Sequence, residues 1–244
     1  MKLFFKPALA IIALTTLFAC NKEVINQNSA IASLSQDDAR SCVNGTWLGN
    51  YATPGLPFLS ITDSVFINDG VAKLTTSPWS YFYSAIELPI SKCHQFSGDS
   101  AKLVVYLKNP TGTSLSVYPF DVTLRLYGSK DTAEVYFLGD LQQYTSLHVG
   151  NIGITNSPQL IHTFEDWTEV TLEAKNKRLT VYLNGVPVQQ VVYKGNKIGL
   201  LKSINIGFKG AGTVDWVKLY NSNTNTQLMQ EDFNVNMQSS VNWF

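Results

Sequence analysis

Charge is scarce in this chain and evenly balanced: 18 Lys and Arg stand against 18 Asp and Glu among 244 residues. No basic field exists to attract nucleic acid. Beyond residue 18 no run is long and apolar enough to span a bilayer, which needs about 20 residues. No helical stripe of useful length occurs, and no internal repeat at a fixed period. Catalytic signatures are missing too. His94, His148 and His162 lack metal-ligand spacing and any HExxH setting. There is no Gly-x-Ser-x-Gly elbow and no phosphate-cradling loop. Cysteine is limited to Cys20, Cys42 and Cys93. Cys42 and Cys93 with the nearby His94 do not complete a tetrahedral metal set.

What is present begins with Lys2 and Lys6, a short apolar stretch over residues 7–18, and then Leu17-Phe18-Ala19-Cys20. A basic end, a greasy run too short to span and a small residue before a cut site make a secretion signal. Cysteine directly after Leu-x-Ala resembles the lipobox of bacterial lipoproteins. That resemblance implies removal of residues 1–19 and acylation of Cys20. An ordinary secreted protein with Cys20 near its cut site is the alternative. About 225 residues then remain, enough for one β-rich domain or two small ones. Loss of Lys2 and Lys6 leaves 16 basic against 18 acidic side chains, a charge of −2. Residues 20–40 read as a lipidated cysteine and a polar, flexible tether. Lys22-Glu23 is similar to the Lys-acidic signal that sends some Gram-negative lipoproteins to the outer membrane. In an oxidising compartment Cys42 and Cys93 are expected to pair, closing a loop of about 50 residues for roughly 2–4 kcal/mol. Two separate buried thiols are the alternative.

From Cys42 onward the period is two. Phe120-Asp121-Val122-Thr123-Leu124-Arg125-Leu126 alternates apolar and polar residues, as a half-buried strand does. Residues 168–173, 179–183 and 204–208 repeat the pattern. Further strands are predicted over 64–67, 80–88, 103–107, 134–138, 188–193, 214–220 and 227–233. Asn68-Asp69-Gly70, Asn109-Pro110-Thr111-Gly112 and Asn184-Gly185 supply turns, and Asn184-Gly185 predicts a hairpin. Many strands without helices imply a sandwich or a closed barrel.

Residues 167–220 carry a resemblance. Trp167-Thr168-Glu169-Val170-Thr171-Leu172 is followed by Leu179-Thr180-Val181-Tyr182-Leu183-Asn184-Gly185. Gly212-Thr213-Val214-Asp215-Trp216-Val217-Lys218-Leu219-Tyr220 comes last. This is similar to the C-terminal half of concanavalin A-like lectin/glucanase domains, including the laminin-G-like branch. The resemblance implies an all-β jelly-roll β-sandwich of two antiparallel sheets over residues 41–244. Trp167 and Trp216 are expected as core anchors, since aromatics supply large buried area. Glucanases of this superfamily carry Glu-x-Asp-x-x-Glu on one strand, which this chain lacks. Glu169 and Glu173 share a face that reads as the solvent side. Lys197-Ile198-Gly199-Leu200 faintly resembles the ending of bacterial domains that hydrolyse keto-sugar glycosides. Laminin-G-like domains often bind calcium at a sandwich rim, where Asp63, Asp69 and Asp140 are candidates. No acidic cluster supports such a site, so no cofactor is identified.

Two stretches are candidate binding features. Alternation over Pro78-Trp79-Ser80-Tyr81-Phe82-Tyr83 puts Trp79, Tyr81 and Tyr83 on one face. Such a row can stack on sugar rings or pack a core. Asp121, Thr123, Arg125 and Tyr127 form a polar face opposite Phe120, Val122, Leu124 and Leu126. There Asp121 and Arg125 can hydrogen-bond a glycan or pair with each other. The sequence therefore predicts a lipoprotein of a Gram-negative envelope, at the outer membrane, acting as a non-catalytic binding module for carbohydrate. A glycoside hydrolase of the keto-sugar type on the same fold is one alternative. An adhesion or structural lipoprotein binding a protein partner is the other.

Overall fold

The computed structural model describes residues 48–52, 63–64, 66–68, 71–73, 83–109, 122–138, 144–154, 164–195, 197–209, 212–233 and 241–244. All belong to the compact unit Asn44–Phe244. The expected signal segment, the tether, Cys20, Cys42, Trp79, Tyr81, Asp121, Asp69 and Asp140 lie outside the described residues.

In chain order the strands begin with β1 (Leu48–Ala52), β2 (Asp63–Ser64), β3 (Phe66–Asn68), β4 (Val71–Lys73), β5 (Tyr83–Pro89) and β6 (Ala101–Lys108). Then come β7 (Val122–Gly128), β8 (Thr132–Leu138), β9 (Tyr144–Val149), β10 (Ile152–Ile154), β11 (Thr168–Lys175) and β12 (Arg178–Leu183). The last are β13 (Val186–Val192), β14 (Leu201–Lys209), β15 (Thr213–Asn221), β16 (Thr226–Glu231) and β17 (Asn242–Trp243). Two single 3-10 turns, Lys92–His94 and Gly98–Ser100, are the helical elements among the described residues. A first sheet runs β10-β9-β8-β7-β14-β5-β1-β2, and a second runs β13-β12-β11-β6-β15-β16-β17, with β3 and β4 joined to β15. Every pairing is antiparallel.

The core lies between the sheets because each strand turns alternate residues inward. The first sheet contributes Ile86, Leu88, Leu124, Leu126, Val135, Leu147, Ile204, Ile206 and Phe208, all buried. The second contributes Leu103, Val105, Leu107, Val170, Leu172, Leu179, Val181, Val217 and Leu219. Each such side chain stabilises the fold by roughly 1.5–3 kcal/mol through area removed from water. The architecture is thus the expected all-β sandwich.

The Asn184-Gly185 hairpin forms as predicted. Both residues have positive φ, 48° and 77°, as a two-residue primed turn requires. Asn184 Oδ1 also accepts the Glu169 N–H at 3.0 Å. A second such turn, Asn176-Lys177 with φ 51° and 60°, joins β11 to β12. Lysine seldom signals positive φ, so this turn is not legible beforehand. Strands β1, β4, β9, β10 and β17 also lack a prediction. In β9 the inward positions Thr145, Leu147 and Val149 are buried, as is Ser146 on the other face, and the inward threonine blurs the alternation.

Trp167 and Trp216 do not anchor the core. Both are only partly buried. Val170, Leu172 and Ala174 face inward, so Glu169, Thr171 and Glu173 face outward, and Trp167 precedes them on the outward parity. A register shift between Val214 and Trp216 carries the second indole outward as well. Tyr106 lies between the two, stacked at 5.2 Å on Trp167 and 5.6 Å on Trp216.

One corner is tied by a single carboxylate. Asp99 Oδ1 accepts the N–H groups of Lys197 at 3.0 Å and Ile198 at 3.3 Å, and Oδ2 accepts that of Gly199 at 3.1 Å. Ile198 is fully buried, and its carbonyl accepts from Lys130 at 3.1 Å and Asp131 at 3.4 Å. Lys197 pairs with Asp131 at 2.9 Å. Burial and then the Asp99 charge raise the pKa of the Tyr193 phenol, which faces this corner. In this structure the Lys197-Ile198-Gly199-Leu200 stretch is part of the clamp.

Candidate functional site

Arg125 sits at the middle of β7, in the centre of the first sheet. Inter-strand register aligns Arg125 with Glu134 on β8 and Asn205 on β14. Asn205 aligns in turn with Glu87 on β5, and Glu134 with His148 on β9. The outer face of the sheet therefore carries one polar row across five strands: Glu87, Asn205, Arg125, Glu134, His148. A neighbouring row reads Ala85, Gly207, Thr123, Tyr136, Ser146.

Arg125 organises the rows. Its Nε lies 3.3 Å from Glu134 Oε2, Nη1 donates to Asn205 Oδ1 at 3.4 Å, and Nη2 to the Tyr136 hydroxyl at 3.3 Å. That hydroxyl donates to Glu134 Oε2 at 2.6 Å. The guanidinium carbon stands 5.2 Å from the centre of the Tyr136 ring, within cation–π range. Ser146 Oγ and His148 Nε2 hydrogen-bond to each other. The imidazole packs on Gly153 of β10, where any Cβ would meet the ring. The Arg125 and Glu134 side chains keep only 16% and 24% of their surface in solvent. Shielding of that degree strengthens each contact relative to a fully exposed pair.

The Tyr136 phenol is pushed up to about 12, chiefly by burial and next by its bond to Glu134, against the opposing pull of Arg125. The folded state therefore holds this proton more tightly than the unfolded chain, whose phenol titrates near 10. The stability that results is complete below pH 10 and is lost as pH rises through about 12. Ultraviolet titration of the tyrosines should reveal a late-ionising group that Tyr136→Phe removes. Ionisation of every tyrosine together near pH 10, with the fold intact, would contradict this arrangement.

Of the sequence-predicted residues, Arg125 is at the centre of the site and Thr123 is fully buried beside it. Tyr83 opens β5, in register with Ala52 and Lys209. Asp63 lies in β2. Among the described residues no cluster of three His, Cys, Asp or Glu can hold a metal ion. Glu134, Tyr136, His148 and Asn205 escaped prediction. Their signal is polar residues spaced by two within strands, Glu134-x-Tyr136 and Ser146-x-His148, which gains meaning once the register with Arg125 is known.

The rows present a guanidinium, carboxylates, a carboxamide, an imidazole and a phenol, a set that donates to and accepts from hydroxyl groups. Glu87 and Glu134 are three strand spacings apart, roughly 14 Å between backbones. Carboxyl pairs that cleave glycosides stand about 5–9.5 Å apart. Glu169 and Glu173 are four residues apart along one strand, about 13 Å between backbones.

No family model matches this chain, and no curated protein matches it. Solved structures do. An endo-acting O-glycanase structure from prominent members of the human gut microbiota that initiate mucin breakdown superposes with a TM-score of 0.53 and 14% identity, covering 74% of this chain and 93% of that one. The exoplasmic/lumenal domain of VIP36 in its Ca2+/Man-bound form gives 0.44 and 12%, over 82% of this chain and 91% of that one. Caenorhabditis elegans galectin LEC-6 gives 0.37 and 12%, over 59% and 95%. The chain shares with the O-glycanase structure its fold, an all-β sandwich of two antiparallel sheets.

Proposed function

We propose that this protein is a lipid-anchored, non-catalytic carbohydrate-binding module whose glycan is held on the outer face of the first sheet. The observation that carries this reading is the polar row centred on Arg125, whose guanidinium bonds Asn205 and Glu134 within the row and Tyr136 beside it and is partly shielded from water. Groups already fixed by one another lose little freedom when a ligand arrives, and that preorganisation favours affinity. The fold is shared with an enzyme acting on O-glycans, which makes glycans the first ligand class to test. The wide spacing of the carboxylates on this face favours binding over hydrolysis.

The test is a glycan array followed by calorimetric titration, with reducing-sugar release measured in parallel. Arg125→Ala should weaken the selected glycan at least tenfold, about 1.5–3 kcal/mol for hydrogen bonds to a charged group. Tyr136→Phe, which leaves the ion pair in place, should cost less. Absence of any bound glycan, or equal affinity in Arg125→Ala, would sink the reading. Turnover of a bound glycan would replace it with the hydrolase alternative.

The same reading holds the module at an outer membrane through acylated Cys20 and braces it by a Cys42–Cys93 disulfide. Cys93 lies on the exposed turn Lys92–His94, with Ser91 Oγ 3.3 Å from its Sγ. Intact-mass analysis and non-reducing peptide mapping of protein purified from membranes examine both points. A diacylglyceryl mass on Cys20 and a cross-linked Cys42–Cys93 peptide are the expected findings. An unmodified Cys20 refutes the anchor, and two alkylatable thiols refute the bridge.

A further inference from the structure

The outer face of the second sheet is unusual for a solvent side. Alternation assigns it Tyr106, Trp216, Tyr182 and Tyr220, with Trp167 at its margin, where threonine, lysine and glutamate normally suffice. All five aromatics are partly buried rather than enclosed. Trp167, Tyr106 and Trp216 stand as a stack, and lysines cap its ends. Lys108 Nζ is 4.8 Å from the Trp167 ring centre, and Lys218 Nζ is 4.5 Å from that of Trp216.

Beside the stack lie two shallow hollows of ≈ 230 and ≈ 210 Å³. They share Lys102, Glu169 and Thr171, so they form one open groove running across β15, β6, β11 and β12. Tyr220 borders one end and Tyr182 the other. Lys102 Nζ stands 5.5 Å from the Tyr220 ring centre, and the Tyr182 hydroxyl donates to Glu173 at 2.9 Å.

The groove's charges decide its ligand. Lys102 and Lys218 are matched by Glu169 and Glu173, so the lining has no net charge. An anionic polymer gains nothing from such a surface. A protein interface places its charges at the rim and an apolar patch at the centre, and here charged groups occupy the centre. Uncharged hydroxyls suit it, because ammonium groups donate to them and carboxylates accept from them, while the tyrosines offer apolar surface to ring C–H groups. An open groove admits an extended chain rather than an enclosed small molecule. We propose that the second sheet's outer face is a separate binding site for a neutral polysaccharide, laid across β15, β6, β11 and β12. With the Arg125 row it makes the sandwich a two-faced binder. The site stands independently of the first face, and it holds even if the Arg125 row binds nothing.

The experiment uses the full chain purified in detergent. Its migration is followed in native gels containing a soluble neutral glucan, galactomannan, arabinoxylan or levan. The retarding polymer is then present during lysine acetylation read by mass spectrometry. Lys102 and Lys218 should be protected, while Lys130 and Lys177, exposed on turns, label as before. Lys102→Ala combined with Glu169→Gln should reduce retardation at least tenfold in apparent affinity with an unchanged melting curve. Arg125→Ala separates the two faces. Protection of Lys102 and Lys218 that survives Arg125→Ala supports this site, whatever the first face binds. Retardation without that protection overturns this site and leaves the first standing. Failure of all four polymers to retard the chain overturns it outright.

Discussion

Asp99→Ala is expected to lower the melting temperature by roughly 6–12 °C, at about 2–4 °C per kcal/mol for a domain of this size. The carboxylate accepts three consecutive backbone amides, those of Lys197, Ile198 and Gly199. Hydrogen bonds to a charged group contribute about 1.5–3 kcal/mol each. Ile198 is fully buried, but Lys197 and Gly199 are partly exposed and their amides regain some water, so the net loss is about 3 kcal/mol rather than the sum. Asp99→Asn keeps one carbonyl acceptor and should lose about half as much. The clamp has a second tier, because the Ile198 carbonyl holds Lys130 and Asp131. Displacing Ile198 therefore loosens the turn between β7 and β8. Calorimetry measures the effect, and a melt within 1 °C of the parent would refute the clamp, 1 °C being about 0.3 kcal/mol.

Gly128→Ala should be at least as damaging, for a different reason. A Cβ at this position would collide with the Ile198 carbonyl oxygen and sit 2.7 Å from that of Asp131. Both are backbone atoms that no rotamer change moves. The substitution must spread β7 from the 197–200 segment, at a cost of about 3 kcal/mol or more. Gly185 offers the contrast. Nothing lies within 4 Å of a Cβ there, and only its φ of 77° opposes alanine. Gly185→Ala should cost about 1 kcal/mol, the ordinary strain of a left-handed residue. Chemical denaturation of both variants checks the ranking. Equal losses would show that crowding at Gly128 is relieved by movement elsewhere.

Local features of this fold were legible in the sequence, and register was not. The alternation through Val122, Leu124 and Leu126 identified a half-buried strand, and Asn184-Gly185 identified the hairpin between β12 and β13. Both signals lie within a few neighbouring residues. The Arg125 site is different. Glu134 is 9 residues away and Asn205 is 80, and strand pairing alone brings them together. Asn205 also sits between Ile204 and Ile206, so it reads as the polar half of an ordinary strand. Trp167 and Trp216 misled because indole size suggests burial. Their true side is decided by parity from Val170 in one case and by a bulge after Val214 in the other.

The strand order has a consequence for how the chain reaches this state. The centre of the first sheet joins Ile86 to Ile206, and the centre of the second joins Val105 to Val217. Each pairing spans more than half the sandwich domain, so its loop-closure entropy is met late. The hairpins through β11, β12 and β13 involve near neighbours and form first. Neither sheet can close until residues beyond Leu201 are available. A chain emerging N-terminus first thus completes its fold only near the end of its delivery, and a fragment ending before β14 has no half-domain to settle into.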